Sequence, residues 1–267
     1  MQSVHRAFHQ VAFASTAMVL LSACAFGQTQ VSTTPSSSAG LQRGTAAHGR
    51  FTVLYRADAI AYARSGHRDL VQIVESSLEH IDTLLPGPRA TLLIYVCKAP
   101  IVETGTCEST AATGALSQAG FAATSQTTAQ QALDIWLPRM LAHQVNHGVR
   151  AQSFPSDPTL LAGLVKEGAA DLFDTQAFPG QANPWDVAIT STQEHALWAQ
   201  ARQELSSPGL YQDWMFGNKQ MTIPIWAGFT IGYHIAAAYL AHNPTTPPSS
   251  LAALSAESIL AGSDYNP

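Results

Sequence analysis

The sequence predicts an α+β fold, a small mixed β-sheet near the N-terminal side followed by a mainly helical remainder, on three observations. Two short runs dense in apolar and β-branched residues, Phe51-Thr52-Val53-Leu54-Tyr55 and Ala90 to Val96, fall in the first hundred residues and read as strands. From Gln130 onward, apolar residues recur at the three- and four-residue spacing of helices with one buried face. Two of those helical segments also carry pairs of histidines or carboxylates four residues apart, which places each pair on one face of its helix.

Taken in order, residues 1 to 24 have the form of a secretory signal. Arg6 with His5 and His9 makes a mildly basic start, an apolar run extends from Val11 to Leu21, and small residues follow. The thirteen residues from Val11 to Ala23 are too few to span a bilayer, which takes about 20. Leu21-Ser22-Ala23-Cys24 resembles a bacterial lipobox. That resemblance implies that Cys24 becomes the lipid-modified first residue of an exported protein, held at a membrane and facing the periplasm or the cell exterior. An ordinary signal peptide with an incidental cysteine is the other reading. Residues 25 to 49, rich in Gln, Ser, Thr and Gly, cannot bury enough apolar surface to order themselves and are expected to form a flexible tether, leaving 50 to 267 as the folded domain.

Within that domain Phe51 to Tyr55 is the first strand. Asp58 is expected to cap one long helix running to Leu85, with Val71, Val74, Leu78 and Ile81 among its apolar set and Pro86-Gly87-Pro88 as its stop. Ala90 to Val96 is hydrophobic enough throughout to be a central strand. The Gly- and Ala-rich section from Thr113 to Thr124 reads as one or two short strands. With Cys24 taken as the lipid site, Cys97 and Cys107 remain as an even pair in an oxidising compartment, and a disulfide is the first reading. Free thiols or a metal pair are the alternatives, with no C-x-x-C spacing to support the latter.

Gln130 to His147 then forms a helix in which Pro138 marks a kink or a restart. His143 and His147 can aim two imidazoles at one point, but in a chain with 10 histidines one such pair is a weak signal. The second helix, Leu160 to Phe173, strengthens it. Leu161, Leu164, Val165, Leu172 and Phe173 give this helix a broad apolar face, and Glu167 and Asp171 lie one turn apart within it. Nineteen residues separate His147 from Glu167, enough for a turn through Pro155 and Pro158 and a return as an antiparallel neighbour. Two His and one Glu are a standard ligand set for a zinc ion that keeps one open position. One zinc held by His143, His147 and Glu167 is therefore the cofactor reading, with Asp171 placed to fix the outer nitrogen of one imidazole. The alternative is a pair of solvated helix charges. Glu194 and His195 read as a solvated helix face, Gly228 to Leu240 as a further helix, and Ser255 to Leu260 as a last short one.

Three segments, Leu141-Ala142-His143-Gln144-Val145-Asn146-His147, Lys166-Glu167-Gly168-Ala169-Ala170-Asp171 and Ala227-Gly228-Phe229-Thr230-Ile231-Gly232-Tyr233-His234, resemble gluzincin-like metallopeptidases, and within them a bacterial family of predicted zinc-dependent proteases. The resemblance runs from about Arg50 to the C-terminus and implies a zincin-like fold. It also implies His143, His147 and Glu167 as metal ligands and Asp171 as the carboxylate behind them. The departure is Gln144, where the family pattern has the glutamate that takes a proton from the attacking water. An amide can orient water but cannot accept that proton, so catalysis is expected to be weak or absent while the metal site survives. Tyr233, with His234, is the candidate for stabilising an oxyanion from the far wall of the cleft; a place in the apolar core is the other reading for Tyr233.

Charged residues make up only 12% of the chain, its net charge is −5, and no basic cluster offsets that balance, which excludes a nucleic-acid partner. Three functions stay open. The chain is a zinc metallopeptidase-like envelope lipoprotein of impaired activity, a module that binds peptides or proteins without cutting them, or a structural lipoprotein whose histidines are incidental.

Overall fold

The computed structural model describes residues 40–107, 116–155, 158–220 and 222–267. The lipid site read at Cys24, and the start of the section read as strand from Thr113, lie outside them. Among the described residues the first elements are β1 (Leu41–Ala46), β2 (Phe51–Arg56), α1 (Ala57–Ser65), α2 (Leu70–Leu84), β3 (Ala90–Val96), β4 (Thr106–Cys107) and β5 (Leu116–Phe121). The strands form one mixed sheet in the order β1-β2-β3-β5-β4. β2, β3 and β5 run parallel, and β1 and β4 run antiparallel to their neighbours. Alternation decides which side is buried: Phe51, Val53 and Tyr55 of β2, and Leu92 and Ile94 of β3, point to a core shared with Val74, Leu78 and Ile81 of α2.

Three expectations change here. β1 lies inside the stretch read as tether, because a polar edge strand takes its stability from the six-residue pairing with β2 rather than from its own composition. The single helix expected from Asp58 to Leu85 is two. Gly66 ends α1, His67 adopts a left-handed φ of 56°, and the Asp69 carboxylate accepts from the Gln72 amide at 3.1 Å to start α2. Asp58 does not cap; it lies in the first turn of α1, paired with Arg56 at 2.8 Å. The Gly- and Ala-rich section supplies one strand among the described residues, β5. It lies inside the sheet order, although β4 covers only its Gly120 and Phe121 end. A disulfide joins Cys97 to Cys107 across a Cα separation of 6.0 Å and ties the end of β3 to β4.

The helical part begins with α3 (Ala129–Gln131), a π-helical turn at Ala132–Trp136 and α4 (Leu137–Ser153). Pro138 sits in the first turn of α4, directly after the π-helical turn, so the kink or restart expected there is a local change of helical pitch within a run that continues from α3. After α5 (Leu160–Ala177), capped by Thr159, come α6 (Ser191–Glu204), α7 (Tyr211–Phe216), α8 (Ala227–His242) and α9 (Ala256–Ala261). α5 is the axle of this arrangement. Its Phe173 and Ala177 belong to the core under the sheet, whereas Leu160, Leu164, Val165 and Ala169 belong to a second core built from α6 to α9. It packs on α4 and on α8, which scarcely touch each other. Against α8 the backbones meet: a Cβ on Gly168 would lie 2.1 Å from the Gly232 carbonyl oxygen, and one on Gly232 would lie 2.0 Å from that of Leu164.

Candidate metal centre

The seam between α4 and α5 carries the expected residues. His143 and His147 project from successive turns of α4, and the Nε2 atom of each lies 3.1 Å from Glu167 Oε2 on α5. The three groups offer ligand atoms all within 4.8 Å of one another. Behind them Asp171, one turn along α5, sets Oδ1 3.0 Å from His143 Nδ1 and accepts from Trp185 Nε1 at 3.0 Å. With its Nδ1 held against a carboxylate, His143 turns Nε2 toward Glu167. His147 Nδ1 is buried without a hydrogen-bond partner among the described residues.

Glu167 divides its two oxygens. Oε2 faces the imidazoles, while Oε1 accepts from Tyr211 OH at 2.6 Å and pairs with Lys166 Nζ at 2.9 Å. The electrostatics follow from burial opposed by these contacts. Burial works to raise the Glu167 pKa, but Lys166, His147 and the hydrogen bonds from both imidazoles hold it well below the ordinary carboxylate range. Burial likewise works against a charged His143, yet the hydrogen bonds to Asp171 and Glu167 prevail and keep its pKa well above the usual value. His147 lacks an outer carboxylate, and burial pushes it down to about 4.

A divalent ion fits the donor set. Two imidazole nitrogens and a carboxylate oxygen are zinc donors, and ligand atoms around a tetrahedral zinc with bonds near 2.05 Å lie roughly 3.3 Å apart. The observed nitrogen-to-oxygen separations of 3.1 Å are close to that spacing before any ion is placed. His143, Asp171 and Asp174 form a second close grouping, but its Asp174 already has a cation. Arg139 Nε donates to Asp174 Oδ1 at 2.8 Å, its Nη2 reaches the same oxygen and Thr175, its Nη1 reaches the Gln181 carbonyl, and Asn183 donates to Asp174 Oδ2 at 3.1 Å.

A third buried acid, Asp186, accepts from the Asn183 amide at 3.2 Å. Burial and the neighbouring charges of Asp171 and Asp174 push its pKa up to about 10. A proton held there would let Asp186 donate to Asp171, whose Oδ2, like Asp186 Oδ1, is buried with no other hydrogen-bond partner among the described residues. This end of the site opens on a small cavity lined by Trp136, Arg139, Met140, His143, Asp174 and Trp185, among others.

Gln144 is buried beside the histidines, and its amide nitrogen points along α4 to Met140 Sδ at 3.8 Å. Tyr233 stands on α8, half-buried, its phenol pKa raised by burial and by Asp186, Asp171 and Asp174. The tyrosine that touches Glu167 is Tyr211. His234 Nδ1 lies 2.6 Å from Glu194 Oε1, and the same oxygen accepts from Tyr265 OH, so Glu194 is a buried, paired carboxylate and not the solvated charge its sequence suggests. Sequence reasoning missed Tyr211, Asp186 and the Arg139–Asp174 pair as parts of the site. Only Lys166, adjacent to Glu167 in the chain, carried a local signal.

Comparison with known proteins supplies one further finding. A family model described as a predicted Zn-dependent protease, DUF2268, matches residues 70–261 and so takes in both helices of the site. No curated protein matches the chain.

Proposed function

The chain belongs to the DUF2268 family of predicted Zn-dependent proteases, and on that premise we propose a zinc-dependent, peptidase-like envelope lipoprotein, anchored through Cys24, whose proton-transfer step is impaired at Gln144. The observation that carries the metal reading is the meeting of two imidazole Nε2 atoms and one carboxylate oxygen, each nitrogen 3.1 Å from Glu167 Oε2. Zinc at that point would supply a Lewis acid that polarises a scissile carbonyl.

The residues around it do the remaining work. Asp171 orients His143, and Asp186 in turn holds Asp171. Among the described residues β4 pairs only with Gly120 and Phe121 of β5, and the rest of that edge is our candidate for holding an extended peptide. Gln144 occupies the place of a general base and has no basic lone pair to offer. Loss of such a base costs on the order of 10²–10⁴ in rate. The turn of the Gln144 amide toward Met140 also favours a second reading, a module that binds peptides without cutting them.

Elemental analysis of the purified full-length chain, beside a His143→Ala, His147→Ala double variant, tests the site. About one zinc per chain is expected in the first and none in the second; no metal in either removes the zinc reading. Gln144→Glu should keep the metal and raise peptide hydrolysis by on the order of 10²–10⁴. An unchanged, inactive Gln144→Glu would favour the binding module, and a fully active parent chain would overturn the account of Gln144.

A further inference from the structure

We infer that Tyr211 is the positioning residue that holds Glu167 to presenting a single oxygen toward a metal, by occupying the other; the inference rests on the metal site proposed above. Glu167 has two equivalent oxygens and a free terminal torsion, so nothing intrinsic to the side chain keeps it from turning both toward the imidazoles. The phenol does. Tyr211 OH donates to Oε1 at 2.6 Å, leaving Oε2 to the two imidazoles.

The surroundings are built for that phenol. Gly163 lies one turn before Glu167 on α5, and a Cβ there would sit 2.9 Å from Tyr211 Cδ2, so the bare helix surface lets the ring lie flat with its hydroxyl at the carboxylate. Met215, one turn after Tyr211 on α7, is fully buried, and its carbonyl accepts from the Trp226 amide at 2.8 Å, which fixes the short helix that carries the ring. Lys166 adds charge from above, its Nζ 4.8 Å over the ring and 2.9 Å from the same oxygen. Its side chain is 41% exposed, so it is the weaker restraint of the two.

Without the phenol, the Glu167 carboxylate is free to turn its plane and to offer both oxygens at once. Partners that orient a ligand in this way typically govern 10–100-fold in metal affinity. The test is titration of the full-length chain and of Tyr211→Phe with zinc and with cobalt(II), reading the dissociation constant and the cobalt absorption spectrum. Thermal unfolding of the metal-free proteins serves as the structural control. Tyr211→Phe should bind zinc roughly 10–100-fold more weakly and shift the cobalt spectrum, with unfolding still cooperative and only slightly easier for the lost hydrogen bond, and Lys166→Met should show a much smaller loss of affinity.

Equal affinity and an identical spectrum in Tyr211→Phe would overturn the inference and leave the metal site standing. A parent chain that binds neither ion would overturn the metal site itself, and this inference with it. Should Tyr211→Phe fail to fold, Gly163→Ala decides the matter, because it displaces the ring and keeps the hydroxyl; unaltered affinity and spectrum there would equally overturn the role given to Tyr211.

Discussion

Arg139 and His143 stand one turn apart on α4, and Asp174 and Glu167 stand two turns apart on α5, yet the two buried pairs they form differ in what neutralises them. Asp174 receives the guanidinium of Arg139 on one oxygen and the Asn183 amide on the other, and the Arg139 donors are used on Asp174, Thr175 and the Gln181 carbonyl. That cluster closes on itself. At Glu167 the groups facing Oε2 are two imidazole nitrogens, one of them belonging to a histidine whose outer nitrogen has no hydrogen-bond partner among the described residues. The first cluster brings a buried cation that spends its donors inside it and reads as structural; in the second the cation, Lys166, is partly exposed and sits on Oε1, so the imidazoles converge on Oε2 with no fixed cation facing it among the described residues, and it reads as a binding site. Proximity of acids and bases on a helix seam does not separate the two cases; the count of donors against acceptors does.

Arg139→Met breaks the closed cluster and should have the larger effect. It leaves Asp174 buried beside Asp171 with no cation, a loss of about 3–5 kcal/mol in unfolding free energy. The loss should be the same with and without a chelator, because no zinc takes part in that pair. A cost that vanished when zinc was removed would mean that the two clusters are one unit.

Asp186→Asn sharpens the comparison with a smaller effect of opposite sign. In the folded chain Asp186 keeps its proton up to about pH 10, whereas the unfolded chain gives it up near the ordinary value of 3.8. The folded state therefore binds the extra proton between these values, and the contribution of Asp186 to stability is full below the lower one and falls as pH rises toward the upper. Asparagine can still donate to Asp171 and has no proton to lose. The variant should match the parent near pH 4 and unfold at a higher temperature near pH 8; parallel melting curves across that window would show that Asp186 is not the proton holder.

Much of the centre was legible in the sequence because helical period converts spacing directly into a shared face. His143 with His147, and Glu167 with Asp171, could be placed before any coordinates, and the return of α5 beside α4 followed from the connecting length. Tyr211 reaches Glu167 across 44 residues, and Asp186 reaches Asp171 from a turn after a proline-containing loop; no period links them to their partners. Composition misled at β1, where polar residues suit an edge, and at α1 and α2, where an apolar pattern ran on through the Gly66 to Asp69 break. The strand order also lay beyond the sequence, since β5 rather than β4 sits beside β3 only because parallel pairing brings two distant runs together.

The meeting of Gly168 with Gly232 has a bearing on how accurately the centre is aligned. Helices that touch through side chains can roll a little by changing rotamers, but a backbone contact has no rotamer to change. One residue of roll is about 100° around the axis, so even a small fraction of it would swing Glu167 and Asp171 out of line with the imidazoles together. The two glycines act as a bearing without play. A single methyl group at either one would work as a wedge and misalign the site without replacing any of its side chains.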